Sequence, residues 1–242
     1  MRICAIIPTY DNPTTLEEQV RRVREYITDV VVVDDGSAEP ARAIAETLAA
    51  AQQCELVTRE CNGGKGAAVK TGLSWARDHG FEYALQIDAD LQHNSNDIPK
   101  LIAAITADPT LVLAQPVFDA SAPRGRLRAR KITEFMAMVE TLGTKVGDPL
   151  CGFRVYPVAQ ALGVKTRGDA MDFDPEIAVR LAWAGVAIVH VPTPVIYTGG
   201  VSHYRGITDT LLITKAHVWL CTEGVLRLLT KPFRWLWRRA RG

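Results

Sequence analysis

Two acidic residues separated by one alanine, Asp88-Ala89-Asp90, follow a short apolar run at 83–87. In an extended segment, residues i and i+2 point to the same side. Two carboxylates so placed could hold a hard divalent cation such as Mg²⁺ or Mn²⁺, which takes oxygen ligands. An ion held there can bridge a diphosphate and neutralise charge growing on it as it leaves. Asp34-Asp35-Gly36-Ser37 ends a second apolar run at 30–33. Its residues suit a bare turn, but a carboxylate there can also accept hydrogen bonds from a nucleobase or ribose. Asn62-Gly63-Gly64-Lys65-Gly66 opens a helical pattern. Free N–H groups at a helix start, with the Lys65 ammonium beside them, favour phosphate. The stretch from Gly64 to Thr71 approaches a P-loop but has Val69 at the required second glycine, which speaks against an ATPase.

These groups need elements to position them. Apolar runs at 3–7, 30–33, 55–58 and 83–87 have the length of buried strands, and helical patterns at 13–27, 38–52 and 66–79 lie between them. Asn12 is a candidate N-cap with Pro13 at the first helical position, and Gly80 ends the third helix. Such alternation implies right-handed βαβ units and an α/β fold: a Rossmann-like, mostly parallel sheet with helices on both faces. Ligands collect at the carboxyl ends of such strands. Thr9-Tyr10-Asp11, Asp34-Asp35 and the segment 88–93 all fall there. The second half is less regular. A helix at 96–107, a strand at 111–115, a helix up to about 145, a loop at 147–156 leading into a strand, a helix at 174–184, a strand at 186–191, a glycine-rich loop at 198–206 and a last helix from 207 are expected. Arg124, Arg126, Arg128, Arg130 and Lys131 form a basic run without an acid. In an extended stretch its alternate arginines would face one way and could hold a phosphate; otherwise it is a solvated loop.

The 242 residues suit one compact domain, 48% hydrophobic and 23% charged, so a core can form. A formal net charge of +1 gives no argument for nucleic acid. Five cysteines without a C-x-x-C pair argue against a disulfide framework or zinc site and suit a reducing, cytoplasmic setting. No signal-peptide pattern and no spanning apolar run is apparent.

Pro8-Thr9-Tyr10, Asp34-Asp35-Gly36-Ser37, Asn62-Gly63-Gly64-Lys65-Gly66, Asp88-Ala89-Asp90-Leu91-Gln92-His93 and Asp148-Pro149-Leu150-Cys151-Gly152-Phe153-Arg154 occur in this order. The series resembles the family 2 glycosyltransferases over roughly residues 3–200, and within them the polyprenyl-phosphate sugar transferases of the dolichol-phosphate mannose synthase type. The resemblance implies a GT-A fold and inverting transfer from a nucleoside-diphosphate sugar. It implies that Pro8, Tyr10 and Asp35 contact the nucleotide, and that Asp88 faces nucleotide or sugar. Asp90 and Gln92 would bind the metal, and Arg154 would shape the donor or acceptor site. Gly200-Val201-Ser202-His203 stands where the subgroup often has Gly-x-Ser-Lys. His203 is then either a third metal ligand or a polar loop residue. Asp174 and Arg180 carry the six-residue spacing that hexose-acceptor members use for a general base. Asp174 is therefore a base for a hydroxyl acceptor, or simply an N-cap.

The C-terminal end, Lys231-Pro232-Phe233-Arg234-Trp235-Leu236-Trp237-Arg238-Arg239, follows the last acid, Glu223. Pro232 should interrupt the last helix or begin a short one. Tryptophans among arginines suit peripheral contact with an anionic membrane. The expected organisation is a catalytic unit at 1–206, with a nucleotide-sugar half to about 115 and an acceptor half after it, then a membrane-associating segment at 207–242. The expected activity is sugar transfer from a UDP- or GDP-sugar to a lipid-linked or amphipathic acceptor at the cytoplasmic membrane face. A transferase to a soluble or polymer hydroxyl, and a non-catalytic nucleotide-sugar-binding module, are the alternatives.

Overall fold

The computed structural model describes residues 1–106, 109–118, 124–195 and 205–239, without the side chains of Arg124, Arg126 and 230–239. Seven strands form one sheet: β1 (Ile3–Thr9), β2 (Val30–Asp34), β3 (Glu55–Thr58), β4 (Tyr83–Gln86), β5 (Thr110–Val117), β6 (Arg154–Pro157) and β7 (Ala187–Pro194). Their order is β3-β2-β1-β4-β6-β5-β7. All pairings are parallel except those of β6, which runs antiparallel to both β4 and β5. The sheet is buried on both faces, so its central strands are mostly apolar. Along β1, Cys4 and Ile6 enter one core while Ala5 and Ile7 enter the other. Helix α1 (Leu16–Arg24), α2 (Ala41–Ala50) and α4 (Ile98–Ala103) cover the second face. The first face is covered by α3 (Lys65–Asp78), α5 (Arg124–Glu140), α6 (Val158–Gly163), α7 (Phe173–Trp183) and α8 (Gly206–Arg239).

Several local expectations change. Helix α1 begins at Leu16, because the Asn12 side chain donates to the Tyr10 carbonyl (3.1 Å) and so does not cap a helix. The helix expected at 96–107 is a 3₁₀ turn, Ser95–Asp97, followed by the short α4. The basic run is not extended: it is the first half of α5. Arg, Leu, Ala and Lys are good helix formers, and no β-branched residue interrupts them before Ile132. Helix α8 continues past Pro232, because a proline removes one N–H from the ladder and leaves the turns on either side their own bonds. Helix α6 has no counterpart in the sequence expectation.

The reversed strand β6 matters most for the site. Its register pairs Gln86 with Arg154, so the chain enters β6 beside the carboxyl end of β4. The Gly152-Phe153-Arg154 segment is thereby delivered to Asp88. Close packing of α3 on β1 depends on Gly72, where a Cβ would stand 2.5 Å from Ile6 Cγ2. Ile6 is fully buried and cannot move aside. We expect Gly72→Ala to destabilise the fold by about 1–3 kcal/mol, as overpacking does. Urea unfolding monitored by circular dichroism would read this; unchanged stability would show that α3 can lift from the sheet without loss.

Candidate functional site

The carboxyl ends of β1, β2 and β4 open into a cleft of about 640 Å³. Pro8 and Tyr10, Asp35, Lys65, Asp88, Asp90 and Gln92 all line it, and so does Asp174 from the first turn of α7. The expected convergence of separate segments on one crevice is therefore observed. His203 lies outside the described residues.

Asp35 organises the glycine loop. Its carboxylate accepts from Gly63 N (3.1 and 3.2 Å), Gly64 N (2.7 Å) and Arg59 Nε (2.6 Å). Gly64 has φ +97°, and a Cβ there would stand 2.6 Å from the Asp169 carbonyl oxygen. Only glycine takes this backbone freely. The loop so held starts α3 at Lys65.

The Lys65 ammonium lies 2.8 Å from Asp88 Oδ2 and 3.0 Å from Asp174 Oδ2. Its charge, expected to serve a phosphate, is thus engaged by two carboxylates of the chain. Burial opposes that charge, and Asp174 and Asp88 outweigh burial to raise its pKa. On Asp88, burial likewise opposes ionisation, but Lys65 and then His93 hold the carboxyl below the usual range. Arg154 is wholly buried. It donates to the carbonyls of Cys151 (Nε, 2.8 Å), Pro149 (3.1 Å) and Asp174 (3.1 Å), and its guanidinium lies 3.6 Å from Asp174 Oδ1. Arg154 therefore binds the entry loop of β6 to α7 and does not line the cleft. Gly152 allows the approach: a Cβ there would meet Asp88 Oδ2 at 2.3 Å and Lys65 Nζ at 2.5 Å.

Asp174 is the second residue of α7, after Phe173, with Asp172 in the N-cap position. The N-cap reading therefore does not hold. Arg180, expected to act with it, pairs with Glu176 (2.7 Å) and Glu223 (3.1 Å). Six residues at about 100° each turn the two side chains well apart on one helix.

Asp88 and Asp90 reach the same cleft through a turn, not an extended segment. Asp90 Oδ1 accepts from Gln92 N (3.0 Å). Burial and then the neighbouring Asp88 carboxylate push Asp90 up to about 6. Among the described residues no ion pair is made to it, and it stands beside oxygen donors from Asp88 and Gln92, which suits a hard divalent ion. Among the described residues no cluster of three His, Cys, Asp or Glu side chains could by itself hold a metal. An ion would therefore be shared with a ligand's oxygens.

Other residues at the site carried no individual signal. Arg130, one of five in the basic run, lines the cleft and pairs with the buried Asp148. Asp148 is fixed in turn, its N–H donating to Gln115 Oε1 (3.1 Å) and its Oδ1 accepting from Leu150 N (3.0 Å). Arg205, before α8, also lines the cleft. Arg59 follows β3 with nothing nearby to single it out.

The family model described as glycosyl transferase family 2 matches residues 4–159. The chain belongs to glycosyl transferase family 2. It is 27% identical over 207 residues to an undecaprenyl-phosphate mannosyltransferase of Micrococcus luteus, covering 79% of this chain and 82% of that one. It is 29% identical over 203 residues to a polyprenol monophosphomannose synthase of Mycolicibacterium smegmatis, covering 79% and 76%. The crystal structure of glucosyl-3-phosphoglycerate synthase from Mycobacterium tuberculosis with Mn²⁺ and uridine-diphosphate-glucose covers 91% of this chain and 79% of its own. It matches with a TM-score of 0.71 at 16% identity. At that identity the likeness is one of fold, and the observed α/β fold is GT-A as expected.

In this glycosyltransferase the Lys65 ion pairs are largely buried. Removing one partner from a buried pair strands the other charge, at about 3 kcal/mol. We expect Lys65→Met to lower the stability of the metal-free protein by about that amount near neutral pH. Asp88 has a depressed folded pKa, so the stability it contributes is present above its unfolded pKa. That contribution is lost as pH falls through the folded value. The gap between wild type and variant should therefore close in acid. Chemical denaturation at a series of pH values measures it, and a gap that widens towards low pH would contradict the assignment.

Proposed function

We propose that this glycosyltransferase moves a sugar, with inversion, from a UDP- or GDP-linked donor to a polyprenyl phosphate or similar lipid-linked acceptor. On this reading Pro8, Tyr10 and Asp35 receive the nucleotide, and Asp88 faces the nucleotide or sugar. Asp90 and Gln92, with His203 as a candidate third ligand, hold Mg²⁺ or Mn²⁺. The ion when bound would neutralise charge on the departing diphosphate. Inversion is a single displacement: the acceptor oxygen bonds to the anomeric carbon as the bond to the diphosphate breaks on the opposite side.

The observation that carries the acceptor class is the environment of Asp174. A hydroxyl acceptor must lose a proton during attack. Asp174 stands where a base would be wanted, yet it is buried against Lys65 and Arg154. Its two oxygens already face these cations, Lys65 at 3.0 Å and the Arg154 guanidinium at 3.6 Å, so an incoming hydroxyl would have to compete with both for the carboxylate. A phosphate acceptor arrives already anionic and needs no base. Arg130 and Arg205 on the cleft wall suit such an anion. The names of the Micrococcus and Mycolicibacterium relatives support the same class.

Residues 1–206 would then form the catalytic unit, and 207–242 a segment that meets the membrane. Among the described residues no helix is long and apolar enough to cross a bilayer, so peripheral contact at the cytoplasmic face is proposed. Arg234, Arg238 and Arg239 among Trp235 and Trp237 supply the cations and aromatics for it.

Two measurements test the proposal. Isothermal titration of UDP and GDP should show tighter binding with Mn²⁺ in the wild type and no Mn²⁺ effect in Asp90→Ala; a retained effect would remove Asp90 from the metal site. For the acceptor, product analysis should detect a sugar-phosphate ester of polyprenol when polyprenyl phosphate is offered, and none with free polyprenol. Arg130→Ala should raise the acceptor KM at least ~10-fold, as loss of a charge-assisted contact does, with donor KM little changed. Transfer to free polyprenol, or a donor-only effect, would favour a hydroxyl acceptor.

A further inference from the structure

Helix α5 is inverted relative to an ordinary surface helix, which buries its apolar face and exposes its polar one. Its buried positions include Thr133 and Glu140, with only Ala137 apolar among them. Glu140 accepts from or shares a proton with His217 Nδ1 at 2.7 Å, which ties α5 to α8. The outward positions are Ile132, Phe135, Met138, Val139 and, just past the helix, Leu142. They follow spacings of three and four, and so form one stripe. Ile132 is 64% exposed and Phe135 59%. Arg128 and Lys131 stand on the same side at its N-terminal end and are exposed. Among the described residues of α5 no acid interrupts this face: Glu134 reaches Gln115 (3.4 Å) and Glu140 is buried. The neighbouring α8 also exposes apolar side chains, among them Leu211, Val218 and Val225.

We propose that the outward face of α5 is a lipid-contact surface that seats on an anionic bilayer. Aliphatic and aromatic side chains would enter the headgroup boundary, and Arg128 and Lys131 would meet lipid phosphates. Charge complementarity selects this occupant: a face with cations at its end and no acid matches an anionic lipid surface. The surface deepens the acceptor assignment above and rests on it for its purpose. Arg130, next to Lys131, lines the cleft. One helix turn thus has cations directed to the bilayer and a cation directed to the site, so a lipid phosphate need travel only across the end of α5.

The test uses the full chain and vesicles of phosphatidylglycerol and phosphatidylcholine, without substrate. The double variant Phe135→Ser/Val139→Ser should lower co-sedimentation at least ~10-fold, given what two apolar side chains contribute on burial. Arg128→Glu/Lys131→Glu should lower binding to these vesicles and reduce its salt sensitivity to what the tail arginines supply. Both should keep the nucleoside-diphosphate thermal shift of the wild type, which reports an intact fold. Unchanged sedimentation of both variants, with loss only in a chain ending at Thr230, would assign contact to the tail alone and overturn the proposal. So would a wild-type dimer, seen by sedimentation velocity, that the Phe135→Ser/Val139→Ser variant dissociates. Transfer to a short-chain, detergent-dispersed polyprenyl phosphate is measured separately. Its absence in the wild type, with α5-dependent vesicle binding intact, would remove the acceptor assignment and leave the lipid surface standing.

Discussion

A largely buried ammonium between a buried carboxylate, Asp174, and a partly exposed one, Asp88, holds the site together. Lys65 opens α3, Asp88 follows β4 and Asp174 lies in the first turn of α7, so one cation joins three elements distant in sequence. Arg154 adds a fourth from β6. Each charge is costly to bury alone, and none can move without stranding another. The group of Lys65, Arg154, Asp88 and Asp174 balances in charge. Asp90 lies beside it and is not balanced; burial and then the Asp88 carboxylate push its carboxyl up to about 6. The frame thus supplies rigidity through its paired charges and leaves one acid whose ionised form calls for a further cation. Pairing and vacancy of charge follow from the same arrangement.

The geometry around that group explains the glycines that no helix or strand preference requires. Gly152 stands so close to Asp88 and Lys65 that any side chain would displace the pair. Gly64 must take a positive φ and pass beside Asp169. Asp35 then locks the loop through two backbone N–H groups. A residue expected to touch a nucleotide is thus also the residue that shapes the loop opening α3. The two roles are compatible, since Asp35 still lines the cleft.

The half of the fold built from βαβ units was legible because its signals are local. Apolar runs of strand length, Gly80 after α3 and polar clusters at strand ends each lie within a few residues, and together they located the crevice. The second half was less so, because its determinants are distant. Nothing near Arg154 indicates that β6 runs antiparallel and brings it to Asp174; that depends on register with β4. Asp174 was legible as a site residue by its spacing to Arg180, but its partner is Lys65, more than a hundred positions earlier. Arg130 could not be chosen from five basic neighbours, since only the helical phase of α5 directs it to the cleft.

That phase has a larger consequence. In an extended run, alternate arginines would all address one anion, and the segment would be a simple phosphate clamp. In a helix, successive positions turn by about 100°, so neighbours serve different surroundings. Arg130 meets Asp148 and the cleft while Arg128 and Lys131 remain outside. Asp148 is itself held by Gln115 of β5, so the inward arginine is referenced to the sheet that positions Asp88. The same helix continues into Phe135 and Val139, which nothing in the chain covers among the described residues. An element anchored to the sheet at one side and apolar on the other would, on the proposed lipid contact, fix the distance between a lipid surface and the cleft. A soluble acceptor would have no use for that geometry, whereas a phosphate carried on a lipid must be met at a set depth.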